Sequence, residues 1–351
     1  MITSVSRTPA YSSRSSHFCI ISDRMELNQT LCAVTRFDFF KILLTPVYIL
    51  VFIVGLSANI WVLKFLLQNW EKFGNINVFV LNLGLSDLLY LLTLPFLVVY
   101  HFKGRKWIFG DTFCKITRFC FCVNLYGSIG FLTCISVYRY LSIVYPMKIL
   151  GRLTSSHSII ISILVWLLVG AQTLPDMFFE KTYLNTSKCY DTTSEPFVED
   201  YLTYSMIRTM TGFCLPFLIT SGCYIHVIMK LCSSSSRNTD PLLKRRSLKL
   251  LLVLILLFSV CYIPDHILRN LNLWVRVLAQ KKQCYSWFNT VYVAHQVGRG
   301  LVCLNSALNP LVYLHVSEEL STGLRTLRTQ AHLLLSLISW SPVSASERES
   351  D

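Results

Sequence analysis

Seven long apolar segments run through this sequence and restrict the chain to folds that a lipid bilayer can hold. Crossing the hydrocarbon core takes about 20 mostly apolar residues in helical form, and only helices or closed barrels satisfy their backbone groups there. The composition agrees, because 53% of the 351 residues are hydrophobic and only 15% are charged, against about 25% charged in soluble domains. We therefore predict an all-α membrane protein with spanning helices at residues 43–68, 77–101, 113–145, 157–180, 199–231, 246–276 and 286–314.

The basic residues give this bundle an orientation. The loops at 146–156 and 232–249 carry lysines and arginines, and the positive-inside rule places such loops in the cytoplasm. Seven spans then put the N-terminus outside the cell, and we expect a multi-pass protein of the plasma membrane. We divide the chain into an extracellular segment at 1–42, a seven-helix bundle at 43–314, and a cytoplasmic part at 315–351 that begins with a short amphipathic eighth helix.

Two features of the outer side follow from this orientation. Sequons begin at Asn28 and Asn185, which makes both asparagines candidate glycosylation sites. Four cysteines lie at this level, enough for two disulfides on an oxidising face. They are Cys32, Cys114, Cys189 and Cys284.

The formal net charge of +13 does not indicate binding to a nucleic-acid polymer, because the basic residues lie in short segments between helices. On the outer side these charges would concentrate anions, and ordinary solvated loop charges explain them equally well. On the inner side the run at 244–246 suits contact with anionic membrane lipid.

Three arginines lie in the outer halves of different spanning segments: Arg118 in the third, Arg269 in the sixth and Arg299 in the seventh. An arginine inside a membrane protein pairs with an acid, lines water or extends to the interface. Three converging cations would repel one another unless an anion satisfied them, and phosphate oxygens match the guanidinium fork. The alternative is that the arginines only brace the helices by pairing with Asp265 and Asp191.

Each of the seven segments also carries a characteristic residue or short motif. These are Asn59, Leu85-Ser86-Asp87, Arg139, Trp166, Pro216 with Tyr224, Cys261-Tyr262-Ile263-Pro264 and Asn309-Pro310-Leu311-Val312-Tyr313. Occurring in this order, over roughly residues 40–325, they resemble the rhodopsin-like (class A) G-protein-coupled receptors. Strings at 124–128, 189–194 and 296–301 are similar to the purinergic nucleotide receptors, in particular the ADP-activated purinoceptor.

The resemblance implies disulfides Cys114–Cys189 and Cys32–Cys284. It also implies a set of activation residues that rearrange when the sixth helix swings outward and a heterotrimeric G protein enters. These are Arg139, Tyr224, Tyr262, Pro264 and Tyr313. A polar set at mid-membrane resembles the family's allosteric sodium site, and a purely structural hydrogen-bond network would use the same residues. They are Asp87, Ser128, Asn305, Ser306 and Asn309.

The ligand that the resemblance implies is an extracellular adenine nucleotide, most closely ADP, with Gq-type signalling and calcium mobilisation and without an organic cofactor. The residues carried over as ligand contacts are Arg118, Tyr126, Tyr190, Asp191, His266, Arg269, Asn272, Tyr292, His295 and Arg299. Two of the pocket positions depart from the family: His295 and Asp265 stand where aromatic residues are usual.

Other classes of protein fit less well. A receptor of the same fold for another anionic ligand (a different nucleotide, a carboxylate or a lipid phosphate) is the first alternative. A transporter would show half-membrane repeats, and an intramembrane enzyme would show a nucleophile with its base or paired aspartates. The sequence shows neither pattern. A retinal photoreceptor is excluded because Cys303 occupies the position of the Schiff-base lysine.

Overall fold

A computed structural model describes residues 39–69, 75–145, 154–182, 188–232, 249, 252–283 and 285–316. The described chain forms a bundle of seven helices. We number them α1 (Phe39–Gln68), α2 (Ile76–Leu91 and Leu94–Phe102), α3 (Asp111–Val144), α4 (Ser155–Thr173, with a 3₁₀ turn Leu174–Met177), α5 (Val198–Thr209, Met210–Cys214 and Leu215–Cys232), α6 (Leu252–Gln280) and α7 (Phe288–Val316). Six of them, α1 to α6, are long and apolar enough to cross a membrane, and α7 has 29 residues.

The surface of the bundle is apolar, unlike that of a water-soluble protein. On α4, Leu164, Leu167 and Leu168 are exposed, while Ser158 and Ser162 are buried. Large apolar side chains on the outside cost nothing when the surroundings are lipid, and small polar residues let helices approach closely. This distribution is the one expected of helices packed inside a bilayer.

Three of the described helices are irregular along their length. The α2 helix breaks at Thr93, whose hydroxyl donates to the carbonyl of Tyr90 over 2.7 Å, with Pro95 in the next turn. The α5 and α6 helices contain π turns at Met210–Cys214 and Phe258–Tyr262, each followed by a proline. Prolines and π turns re-aim the side chains around them.

The α3 helix lies at the centre of the bundle, with buried residues from Cys114 to Ser136. At Gly127 a Cβ atom would lie 2.7 Å from the hydroxyl of Ser86, so the missing side chain allows α2 and α3 to pack closely. Trp166 Nε1 donates to Asn82 Oδ1 over 2.8 Å and ties α4 to α2. These contacts fix the position of α3, which carries Arg118 and Tyr126, against α2 and that of α2 against α4.

The second outer loop folds back over the mouth of the bundle. The disulfide Cys114–Cys189 joins it to the start of α3, as the sequence resemblance implies. Thr182 and Cys189 form an antiparallel bridge, and Tyr190 N donates to Lys181 O over 2.8 Å. The loop therefore holds Tyr190 and Asp191 directly above the helices.

The predicted all-α seven-helix fold is confirmed. Several predictions fall outside the described residues: the eighth helix, the glycosylation sites Asn28 and Asn185, and the disulfide between Cys32 and Cys284. They stay predictions.

Candidate ligand-binding site

Two of the three predicted arginines meet at one carboxylate. Arg118 Nη2 lies 2.9 Å from Asp191 Oδ1 and donates to the carbonyl of Cys189 over 3.0 Å. Arg299 on α7 is ion-paired with Asp191 Oδ2, and its guanidinium lies 5.4 Å from the ring centre of Phe121. Gln296 also donates to Asp191 over 3.3 Å. One loop carboxylate thus connects α3 with α7.

The charges around Asp191 keep its carboxylate ionised. Burial alone would raise the pKa of Asp191, but the guanidinium groups of Arg118 and Arg299 outweigh burial and hold the pKa well below its ordinary value. Both arginine side chains are almost fully buried, whereas 21% of the Asp191 side chain is exposed. The Asp191 carboxylate, which neutralises the two arginines, is therefore the part of this network that is nearest to solvent.

The third arginine belongs to a second network, on α6. Arg269 is ion-paired with Asp265 one turn earlier, and its Nη1 donates to the hydroxyl of Tyr126 over 3.2 Å. Both partners are buried. Across the two networks, Arg118, Arg269 and Arg299 share two carboxylates, which leaves one positive charge in excess.

Several buried polar atoms between these networks make no hydrogen bond to any residue that the structure describes. Both ring nitrogens of His266 are unpartnered, and its ring stacks on Phe213 at a centroid distance of 4.3 Å. His295 Nδ1, Asp265 Oδ1 and Arg118 Nε are unpartnered as well. Buried polar groups are usually bonded, so such a concentration indicates a place that water or a ligand occupies.

The remaining predicted ligand residues lie at the rim or on α6, where Asn272 is buried. The ring of Tyr190 is 5.8 Å from the guanidinium of Arg276, and that of Tyr292 is 5.8 Å from Arg105. Arg276 also bonds to the loop, donating to the carbonyl of Thr193 over 2.9 Å.

Three residues of this region are not among the predicted ligand contacts: Arg105, Arg276 and Gln296. Gln296 could have been found, because it lies three residues before Arg299 on the same helix face. Arg105 lies in the first outer loop and Arg276 bonds from α6 to the second outer loop, and the apolar pattern of the sequence does not define the course of either loop.

A further charged cluster lies against α5, where the sequence analysis assigned no role. Asp176 Oδ1 accepts from Lys181 Nζ over 3.0 Å and from the hydroxyl of Tyr201 over 2.5 Å, and Arg208 Nη1 lies 3.7 Å away. Burial lowers the pKa of Lys181 despite this carboxylate. Lys181 is also bonded to the carbonyl of Thr192, so the cluster anchors the second outer loop from beneath.

The predicted mid-membrane set is a connected network. Asp87 accepts from Asn124 Nδ2 over 2.8 Å and from Asn309 Nδ2 over 2.9 and 3.0 Å, and Ser306 donates to Asn124 Oδ1 over 3.1 Å. Asn124 was not in the predicted set. Ser128 and Asn305 are buried beside these residues.

The structure places the predicted activation residues on neighbouring helices. Tyr224 is partly buried on α5, and Tyr262 is fully buried in the π turn of α6 before Pro264. Next to Arg139, the hydroxyl of Tyr140 is 2.8 Å from His226 Nδ1, a contact between α3 and α5 that the sequence analysis missed. The side chain of Tyr313 lies outside the described part of the chain.

Comparison with known proteins decides the family. Residues 58–313 match the family of 7 transmembrane receptors (rhodopsin family). Purinoceptor 1 of Gallus gallus is 42% identical over 290 residues, which is 81% of this chain and 79% of that protein. The chain belongs to the purinergic receptors of the rhodopsin family. Purinoceptor 1 of Homo sapiens is 43% identical over 288 residues, or 80% of this chain and 76% of that protein. Purinoceptor 4 of Xenopus laevis is 37% identical over 299 residues, or 83% of this chain and 55% of that protein.

Membership of this family settles the class of the protein. It is a multi-pass receptor of the plasma membrane that belongs to the G-protein-coupled group, and it is not an enzyme. The networks described above are therefore candidate parts of a ligand site and of the conformational coupling beneath it.

Proposed function

We propose that this receptor binds extracellular adenine nucleotides, with ADP as its agonist. In this proposal the N-terminus is extracellular, the receptor activates a heterotrimeric G protein of the Gq type, and phospholipase C and calcium release follow. The observation that carries the proposal is the convergence of Arg118, Arg269 and Arg299 from three helices on two carboxylates. The names of the similar purinoceptors support the same ligand class.

Phosphate is the ligand group that suits these arginines. Each guanidinium already bonds to carboxylate oxygen, and phosphate offers oxygens of the same type with more charge. A phosphate chain entering beside Asp191 would bond to Arg118 and Arg299 and leave the loop carboxylate to solvent. Because Asp191 is the most exposed member of its network, this exchange needs no movement of the helices.

Flat aromatic and polar groups suit the rest of a nucleotide. Tyr126 presents its ring near His266, at a centroid distance of 5.7 Å. The unpartnered nitrogens of His266 and the unpartnered Asp265 Oδ1 offer a donor, an acceptor and a carboxylate oxygen to ribose or base. Asp265 takes the place of an aromatic residue here, so a polar contact replaces stacking.

Agonist binding would select one of two helix arrangements. Arg269 and Asp265 lie on α6 directly after Pro264 and the π turn. A ligand that draws these residues toward α3 and α7 therefore acts on the segment above the hinge. The inner half of α6 would swing outward and open the groove for the G protein.

A calcium-flux screen tests the proposal. Cells expressing the chain would be exposed to ADP, ATP, UDP, UTP and AMP, with untransfected cells and a phospholipase C inhibitor as controls. We expect ADP to act at the lowest concentration and the inhibitor to abolish the response. A receptor at the cell surface that answers none of the adenine nucleotides would refute the proposal and favour a different anionic ligand.

A further inference from the structure

Arg208 on α5 is a deeply buried cation whose charge is poorly neutralised. Only 2% of the residue is exposed. Within the part of the chain that the structure describes, Asp176 is the one carboxylate within 4 Å of its guanidinium, at 3.7 Å. Lys181 lies closer to that carboxylate, at 3.0 Å. Asp176 is therefore shared by two cations, and it hydrogen-bonds to Lys181 rather than to Arg208.

The remaining neighbours of Arg208 are neutral. Its guanidinium nitrogens donate to the hydroxyls of Tyr204 and Tyr201 over 3.1 and 3.4 Å, and its Nε has no hydrogen-bond partner among the described residues. Arg118, Arg269 and Arg299 differ, because each has a carboxylate at 2.9 Å or closer. A ligand anion must displace an acid to reach any of those three. At Arg208 the competing acid is Asp176, which lies 3.7 Å away and is bonded to Lys181, so the contact that an anion must replace is weaker.

Arg208 also borders the proposed ligand site. The guanidinium lies 5.2 Å from the ring centre of Tyr126, whose hydroxyl accepts from Arg269. Its Nη1 is 3.5 Å from the sulfur of Cys122, one helical turn below Arg118 on α3. Tyr126 thus lies between two guanidinium groups, one from α5 and one from α6.

We propose that Arg208 is a fourth guanidinium of the ligand site and binds an anionic oxygen of the ligand's phosphate chain. This contact comes from α5, a helix that carries none of the predicted ligand residues. The charges of the described residues support it: Arg118, Arg208, Arg269, Arg299 and Lys181 face only Asp176, Asp191 and Asp265. The surplus of two positive charges suits a polyanion. The inference rests on the proposed nucleotide function.

The decisive variant is R208Q, which keeps a long polar side chain beside the tyrosines and removes the charge. Surface density, ADP potency in calcium flux, and the melting temperature of purified receptor with and without ADP would be measured. We expect ADP potency to fall roughly tenfold or more and the ADP-induced rise in melting temperature to shrink. In R208K, which keeps the positive charge and loses the forked guanidinium, ADP potency should fall about threefold.

D176N separates ligand binding from bracing. If Arg208 only braced α4 against α5, removing either partner would weaken the receptor alike, and D176N would lower ADP potency as much as R208Q does. If Arg208 binds phosphate, D176N removes a competing carboxylate, and ADP potency stays within about threefold of the parent or improves. An equal loss of ADP potency in R208Q and D176N would therefore overturn the proposal.

The phosphate chain is tested by comparing ADP with adenosine, which has no phosphate, in competition binding. The affinity ratio between the two should shrink in R208Q, because the variant loses a contact to phosphate. Equal losses of affinity for both ligands would contradict the phosphate assignment, as would an R208Q receptor that responds to ADP like the parent. Should R208Q not reach the surface, R208K decides, and parental potency there overturns the proposal. If the parent itself ignores ADP, the proposed function fails.

Discussion

Asp191 is the single residue on which most of the site's charge balance depends, because Arg118 and Arg299 both bond to it. Asp191 and Asp265 are predictable from the sequence as acids within reach of the arginines, but which arginine pairs with which acid is not. Pairing depends on where the second outer loop places Asp191, and a loop conformation has no periodicity in sequence. The pairing of Arg269 with Asp265 is easier to predict, since the two residues are four apart on one helix and therefore share a face.

Replacing Asp191 by Asn should destabilise the unliganded receptor. Two buried guanidinium groups would lose their carboxylate, and the cost is about 1–3 kcal/mol after allowing for the partial exposure of Asp191. A thermal melt of purified receptor would measure it. Glu195→Gln is the matched control, because its carboxylate bonds to Arg276 at 3.0 Å but is 60% exposed, and we expect almost no change. Equal melting temperatures for both variants would contradict the ion-pair network.

At the scale of elements, apolar length predicted all seven helices, while the internal irregularities did not follow from it. The predicted span at 157–180 became Ser155–Met177, and that at 77–101 became Ile76–Phe102. Hydropathy reports where a helix can cross the membrane. It does not report the π turn Met210–Cys214 of α5, because one extra residue in a turn leaves the apolar run unchanged. That turn places Gly212 against Tyr126.

Gly212→Ala should therefore disturb the ligand site through α5. A Cβ atom there would lie 2.6 Å from the ring of Tyr126, so the ring must move. We expect lower ADP potency and a loss of about 1–3 kcal/mol from overpacking. Gly222→Ala in the same helix is the control, because its Cβ would meet no atom within 4 Å. That variant should keep its potency and gain up to about 1 kcal/mol. Identical behaviour of the two variants would refute the close approach.

For the whole molecule, the mid-membrane network links the helices that a ligand must rearrange. Asp87 joins α2 to α3 and α7 through Asn124 and Asn309, and Asn59 joins α1 to α7 by donating to Ser306 O over 2.9 Å.

We propose that a sodium ion binds in this mid-membrane network. The residues fit a hard cation, since Asp87 supplies a carboxylate and Asn309 Oδ1 has no hydrogen-bond partner among the described residues. Most residues of this network were predictable from the sequence, because they match the family's motifs. Asn124 was not among them.

Asp87→Asn should remove the sodium sensitivity of agonist binding, because the amide cannot supply the charge that holds the ion. Competition binding of ADP in sodium and in an equal concentration of a larger cation, such as N-methylglucamine, would measure the difference. Asn305→Ala, which keeps the carboxylate, should retain part of the sensitivity. If sodium changes the ADP affinity of Asp87→Asn and of the parent alike, the mid-membrane residues form only a hydrogen-bond network.

The most direct test of the nucleotide site is Arg299→Ala, with surface density and ADP potency measured on the same cells. Asp191 would keep Arg118 as its partner at 2.9 Å, so no buried carboxylate is left unpaired and the variant should reach the surface. A desolvated guanidinium–phosphate contact contributes about 1.5–3 kcal/mol. We therefore expect ADP potency to fall by roughly ten- to a hundredfold. An Arg299→Ala receptor that reaches the surface and responds to ADP like the parent would contradict the account.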